Sequence, residues 1–241
     1  MGKRVLRPGG IELTRKMLED INIGSDDQVV EFAPGMGVTA RETLALGPRS
    51  YTGIERDEAA AGQVRSYLQG PSQQCLVGRA EETGLPSASA TVVYGEAMLT
   101  MQTPGHKASI VKEAARLLQA GGRYGIHELS LQPDDLAEER KAEINKALSD
   151  AIHVGARPLT TSEWTTLLEE HGFTVEAQAT TPMHLLEPRR FVQDEGLGRS
   201  IGFLFRVART PAARRRIFRM RSVFRRYEAN MGAVSLVGVK N

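Results

Sequence analysis

Apolar residues recur along this chain in two rhythms that trade places. After a Pro8-Gly9-Gly10 breaker, Ile11, Leu13, Met17, Leu18 and Ile21 fall at helical spacing and predict a helix over 11–21. A short β-rich run over 28–33 then ends in Pro34-Gly35-Met36-Gly37, and a helix follows over 39–46. The same alternation continues with a strand over 50–55 and a helix over 57–68, for which Asp57 is a natural N-cap. Strands over 73–77 and 91–94, an amphipathic helix over 107–118 stopped by Gly121-Gly122, and a strand over 123–129 complete this half. Strands alternating with helices at this pace imply βαβ units around a parallel sheet.

The later part changes character. Helices are predicted over 134–152 and 161–171, with strands over 173–179 and 233–239. Between those two strands lies a helical, arginine-rich stretch, read as an insertion over 186–229. Within it Ile217, Met220, Phe224 and Tyr227 share one helix face while arginines fill much of the rest. Nine arginines fall between Arg206 and Arg226 with no acidic residue among them. The formal charge of +2 is therefore local, and the rest of the chain is net negative. Three readings stand for this helix: a lid whose arginines, Arg219 among them, clamp an acidic substrate; a face for an anionic membrane surface or polyanion; or a solvated helix packed on the domain.

Composition narrows the class. With 241 residues, 41% hydrophobic and 25% charged, the chain fills one α/β domain, here taken as 1–241, and buries a core unaided. A lone cysteine, Cys75, excludes a disulfide framework or a multi-thiol metal site and is read as core. No run approaches the ~20 apolar residues of a membrane span, and the basic start lacks an apolar signal region, so a cytoplasmic location is expected. No metal is expected, since no His-x-x-x-His type spacing occurs.

The chemistry concentrates at the first strand and its glycine turn. Gly35-x-Gly37 ahead of a helix lets the backbone approach a ligand closely and offers free N–H groups to an anion. Taken alone, Gly35-x-Gly37-x-x-Ala40 suits a dinucleotide as well. Glu31 lies inside the strand, where a buried acid needs a partner. Glu55 closes the second strand, from which a carboxylate can accept both hydroxyls of a ribose. All of these meet at the carboxyl edge of one sheet, together with Gly78-Arg79-Ala80-Glu81 after the third strand.

Five ordered motifs then resemble the class I S-adenosylmethionine-dependent methyltransferases, in particular their small-molecule branch. They are Val29-Val30-Glu31-Phe32-Ala33-Pro34-Gly35-Met36-Gly37, Gly53-Ile54-Glu55-Arg56-Asp57, the stretch from Gly78 to Pro86, Glu113 to Arg123, and Leu167 to Phe173. The resemblance implies a Rossmann-like α/β fold, a seven-stranded mostly parallel sheet with an antiparallel last strand and a helical cap insertion. It implies S-adenosylmethionine as cofactor, with Gly35 and Gly37 under its amino-acid end and Glu31 beside its amino group. Glu55 would take the ribose and the Ala80 backbone the adenine, with Ala33 and Arg56 in the same lining loops. Where the family often has Asp before that alanine, this chain has Arg79, which leaves Glu81, backbone or water to read the adenine amine.

The acceptor side is drawn from strand exits. Glu96 and His127 end the fourth and fifth strands, where a base could take a proton from the acceptor; a hydrogen-bonded strand-end histidine and a capping glutamate are the plain alternatives. His153 is placed near the same pocket. Gly95-Glu96-Ala97-Met98 replaces the Asn/Asp-Pro-Pro-aromatic motif of nucleic-acid amino-methyltransferases, so a small-molecule partner is expected and nucleic acid is not. The rival readings are a nicotinamide-dependent oxidoreductase and a non-catalytic binding module, in a monomer or homodimer.

Overall fold

The computed structural model describes residues 7–183 and 220–241, and the sheet organises both stretches. The strands are β1 (Gln28–Phe32), β2 (Ser50–Glu55), β3 (Gln73–Val77), β4 (Ala90–Glu96), β5 (Leu118–Leu131), β6 (Leu159–Thr160), β7 (Phe173–Pro182) and β8 (Met231–Lys240). They lie in the order β3-β2-β1-β4-β5-β8-β7, with the two-residue β6 beside β5. β8 runs antiparallel to both β5 and β7, while β1 to β5 pair in parallel. The Rossmann-like sheet of the sequence reading is thus present, with β6 added; two residues are too few to leave a periodic signal.

Helices cover both faces. On one side α1 (Ile11–Ile21), α2 (Val38–Ala45) and α3 (Glu58–Arg65) bury Met17, Ile21, Ala40 and Val64 against Val29, Tyr51 and Val92. On the other, α4 (Pro104–Leu117) and α6 (Thr161–Glu169) bury Ile110, Val111, Trp164 and Leu168 against Val30, Phe32 and Val93. Successive strand residues point to opposite faces, so Val30 and Phe32 go one way and Val29 and Glu31 the other. A third cluster, Leu129, Leu131, Ile144, Leu148, Met183 and Tyr227, joins the last residues of β5 to α5 (Glu138–Ile152) and a helical stretch over 220–226.

Several boundaries move for local reasons. Asp57 caps α3 by accepting from Ala60 N–H, as its sequence suggests. Gly121-Gly122 does not stop α4: the helix ends at Leu117, Leu118 already pairs with Ala90, and Gly121 bends the strand at φ +74°. Thr160 and Glu163 form a reciprocal capping box that starts α6. The long polar helix begins at Glu138 rather than 134. Of the arginine-rich helix, residues 220–226 are helical and Tyr227 ends them, donating to Val223. The remainder of the expected cap over 186–219, including Arg219, lies outside the described residues.

Candidate active site

The glycine turn builds the first half of the site. Ala33 (φ +53°), Gly35 (φ +55°) and Gly37 (φ +71°) all take left-handed backbone conformations between β1 and α2. The two glycines serve different ends. A Cβ on Gly35 would meet nothing nearer than the Ala33 carbonyl at 4.0 Å, so the backbone there is open. A Cβ on Gly37 would fall 1.7 Å from the Tyr67 hydroxyl, which donates to the Gly37 carbonyl at 3.0 Å. Gly37 is therefore a packing glycine, and Gly35 the one whose backbone face is unobstructed.

Glu55 stands beside it at the end of β2. Its Oε2 accepts the Gly35 N–H at 2.9 Å and its Oε1 the Asp57 N–H at 3.0 Å, with the residue 6% exposed. Both oxygens are oriented by backbone, and each keeps a lone pair for a further donor. They border a cavity of about 560 Å³ whose wall also holds Ala33, Arg56, Ala80 and Glu81. Arg79, at the family's usual Asp position, also borders this cavity and donates to Glu81 Oε1 at 2.7 Å. Burial works against the Glu81 charge, but backbone and Arg79 hydrogen bonds prevail and hold its carboxyl below the ordinary range.

Five residues of that wall, Met98, Met101, Gln102, His106 and Ile110, were not among the site residues expected from the sequence, although Met98 ends the Gly95-to-Met98 stretch considered above. They come from a single 3₁₀ turn after β4 and the first turns of α4. Only the family's general layout could have pointed there, because no periodicity marks a three-residue turn.

Glu31, expected beside the cofactor, does not reach this cavity. Its strand position turns it toward α1 to α3, where Tyr51 donates to its Oε2 at 2.6 Å. Burial lifts its carboxyl to about 7 against the hydrogen bonds of Tyr51 and Tyr94. Glu31 thus stands apart from this cavity, and the cause is the two-residue alternation of β1.

The pair proposed for proton removal is also reassigned. His127 is fully buried: Nε2 meets the Pro8 carbonyl at 2.5 Å and Nδ1 the Thr14 hydroxyl at 3.2 Å. A carbonyl only accepts, so Nε2 carries the proton and Nδ1 faces Thr14. Burial depresses its pKa below the usual imidazole value, despite Glu96 3.7 Å away. Glu96 in turn accepts from Arg7 at 2.7 Å, Thr14 at 3.1 Å and Thr39 at 2.7 Å, and Arg7 donates again to Thr39 at 2.7 Å. Burial opposes its ionisation, but His127, Arg7 and these donors hold it below the ordinary range. Together these groups fasten residues 7–14 across the ends of β4 and β5, which gives both side chains a structural role.

Glu128, the next residue on β5, fastens the neighbouring loop. Its oxygens accept from the N–H groups of Met98, Leu99 and Thr100 at 2.7 to 3.0 Å and from the Thr100 hydroxyl at 2.7 Å. Beside it lies a second cavity, about 80 Å³, walled by Pro8, Ala97, Met101, Leu148, Ile152, Ala156, Met220 and Phe224. Met101 belongs to both cavities. His153 is not in this wall. It closes α5 with a left-handed backbone (φ +59°) and is exposed, which corrects its placement. Lys107, buried under the same loop, donates to the Arg157 carbonyl and lies 4.7 Å over the Trp164 ring; burial brings its pKa down to about 8.

Comparison with known proteins matches this geometry. A family model described as a methyltransferase domain matches residues 29–122, from β1 to the start of β5. An uncharacterised protein of Haemophilus influenzae is 30% identical over 201 residues, covering 82% of this chain and 78% of that protein. Among solved structures, the MccD protein superposes with a TM-score of 0.76 at 16% identity over 98% of this chain and 100% of the other. Haemonchus contortus phosphoethanolamine N-methyltransferase 2, in complex with S-adenosyl-L-methionine, superposes with a TM-score of 0.70 at 14% identity, over 99% of this chain and 54% of that one. At such identities these superpositions establish the fold.

Proposed function

We propose, for a chain that belongs to the class I S-adenosylmethionine-dependent methyltransferases, that the methyl group goes to a small-molecule acceptor seated in the cavity behind Met101. The carrying observation is Glu55, held by two backbone N–H groups beside the open Gly35 on the wall of the larger cavity. That donor set suits the cofactor: a carboxylate for two ribose hydroxyls and an unobstructed backbone for the amino-acid end. Bound there, the cofactor supplies an electrophilic methyl group on a sulfonium.

The residues divide the labour as follows. Glu55 takes the ribose. Glu81, kept ionised and aimed by Arg79, accepts from the adenine amine in place of the family's aspartate, with the Ala80 backbone alongside. The network of Arg7, Thr14, Thr39, Glu96 and His127 positions the N-terminal segment, which brings Pro8 into the acceptor wall. Acceleration then rests on alignment of acceptor and sulfonium, for which effective molarities of ~10⁵ M or more are available.

Calorimetry tests the reading. S-adenosylhomocysteine should bind the protein and NADH should not, and Glu81→Gln should erase its preference for adenine over a hypoxanthine analogue. Binding of NADH alone would overturn the assignment.

A further inference from the structure

Among the described residues, Met101 alone borders both the larger cavity, with Glu55 and Glu81 in its wall, and the smaller one beside Glu128. It ends the three-residue turn Leu99–Met101, whose backbone is tied from several directions. Glu128 accepts the N–H groups of Met98, Leu99 and Thr100 at 2.7 to 3.0 Å. The Arg157 N–H donates to the Thr100 carbonyl at 2.8 Å. Gln102 donates from its backbone to the Leu99 carbonyl at 2.9 Å and from its side chain to the Met98 carbonyl at 3.2 Å. The neighbouring side chains are fixed as well. Leu99 and Thr100 are buried, and Met98 is packed down on β4, where a Cβ on Gly95 would fall 2.9 Å from its sulfur. Met101, by contrast, is 40% exposed, the most open methionine among the described residues. An unbranched, freely rotating thioether thus stands on an immobile frame between the two cavities.

We propose that Met101 is the gate between cofactor and acceptor, and that its bulk sets the size of the group that can pass from one cavity to the other. The proposal rests on the methyl-transfer reading above. With the amino-acid end at Gly35, the ribose at Glu55 and the base at Glu81, the cofactor lies on the β1-to-β3 side, and an acceptor in the smaller cavity is reached past Met101. Transfer in that direction brings the sulfonium methyl against this side chain. A polarisable sulfur suits a neighbouring cation, and an unbranched chain fills an irregular junction. Exposed side chains change rotamer far faster than an enzyme turns over, so the gate selects by size without limiting the rate. The selection is steep, because one surplus methylene against an apolar wall costs on the order of 10-fold or more. A methyl group is therefore accepted where an ethyl group is refused.

The test uses the full chain and needs no knowledge of the acceptor. Calorimetry compares S-adenosyl-L-methionine with S-adenosyl-L-ethionine, which carries an ethyl group on the sulfonium. The wild type should bind the ethyl cofactor at least ~10-fold more weakly. Met101→Ala should narrow that gap to about threefold or less, while Met101→Leu, of similar bulk, should keep it. A second readout is labelling by hydrogen peroxide, in which oxygen passes to a methionine sulfur, the O–O bond breaks and water leaves. Peptide mass analysis should show Met101 oxidised faster than Met17 and Met231, which are buried. Saturating S-adenosylhomocysteine should slow that oxidation by about fivefold or more, since susceptibility follows exposure. The labelling uses the wild type and decides the matter even if Met101→Ala misfolds. Equal binding of the two cofactors by the wild type, an unchanged gap in Met101→Ala, or a gap lost equally in Met101→Leu overturns the inference. So does a Met101 that oxidises as fast with S-adenosylhomocysteine bound as without it. If S-adenosylhomocysteine itself does not bind, the methyl-transfer reading falls instead.

Discussion

The two cavities that meet at Met101 treat their carboxylates in opposite ways. On the side of β1 to β3, Glu55 and Glu81 are oriented by backbone and by Arg79, and each still faces open space. On the side of β4 and β5, Glu96 and Glu128 are turned inward and saturated by the chain itself. An acid at a strand end thus borders an open cavity in one half and acts as a structural clamp in the other. What separates them is whether the protein supplies donors for all of its oxygens.

This contrast can be broken at its strongest point first. Glu128→Ala should strip partners from three buried N–H groups and cost about 3–9 kcal/mol, at ~1–3 kcal/mol per unmet group. The thermal midpoint should fall by roughly 10 °C, read by circular dichroism. Glu55→Ala acts on the open side. It should weaken S-adenosylhomocysteine by about 10²-fold or more in calorimetry, as expected for two hydrogen bonds to a charged group, with a much smaller change in midpoint than Glu128→Ala. Equal midpoint losses in the two variants would erase the distinction.

The buried acid Glu31 sharpens it through pH. Its carboxyl titrates at about 7 in the fold, against an ordinary 4.5. The native state therefore holds a proton that the unfolded chain releases between those values, so stability falls as pH rises through that window. Glu31→Gln should flatten the slope, worth on the order of 2–3 kcal/mol in the wild type, in denaturant titrations at pH 5 and pH 7.5. A variant as steep as the wild type would place the titration elsewhere. The smallest effect is expected at His127. Its folded pKa lies below the unfolded value of 6.5, so its contribution is complete above that pH and is lost as pH falls. His127→Gln should soften this acid limb and lower methyl transfer by far less than the ~10²–10⁴-fold expected of a general base. A loss of that size would restore it to the chemistry.

How much was legible follows the range of the interactions. The helices over 11–21 and around 58–65, the strand over 50–55, the glycine turn and Glu55 were readable because period and turn chemistry act over a few residues. The arrest of α4 was misread because Gly121 proved compatible with a bent strand, where a helix stop was the ordinary expectation. The wall residues from Met101 to His106 carried no pattern of their own.

The sequence by itself determined the alternation of strands and helices, the bare backbone at Gly35, the carboxylate at Glu55 and, through five ordered motifs, the family. Tertiary structure decided which acids are open and which are closed. Glu31 is closed by Tyr51, 20 residues away; Glu96 by Arg7, 89 away; and His127 by Pro8, 119 away. The chain folds these partners together only through sheet register and helix packing. A local pattern shows that an acid stands at a strand end, but not whether distant donors have already used its lone pairs.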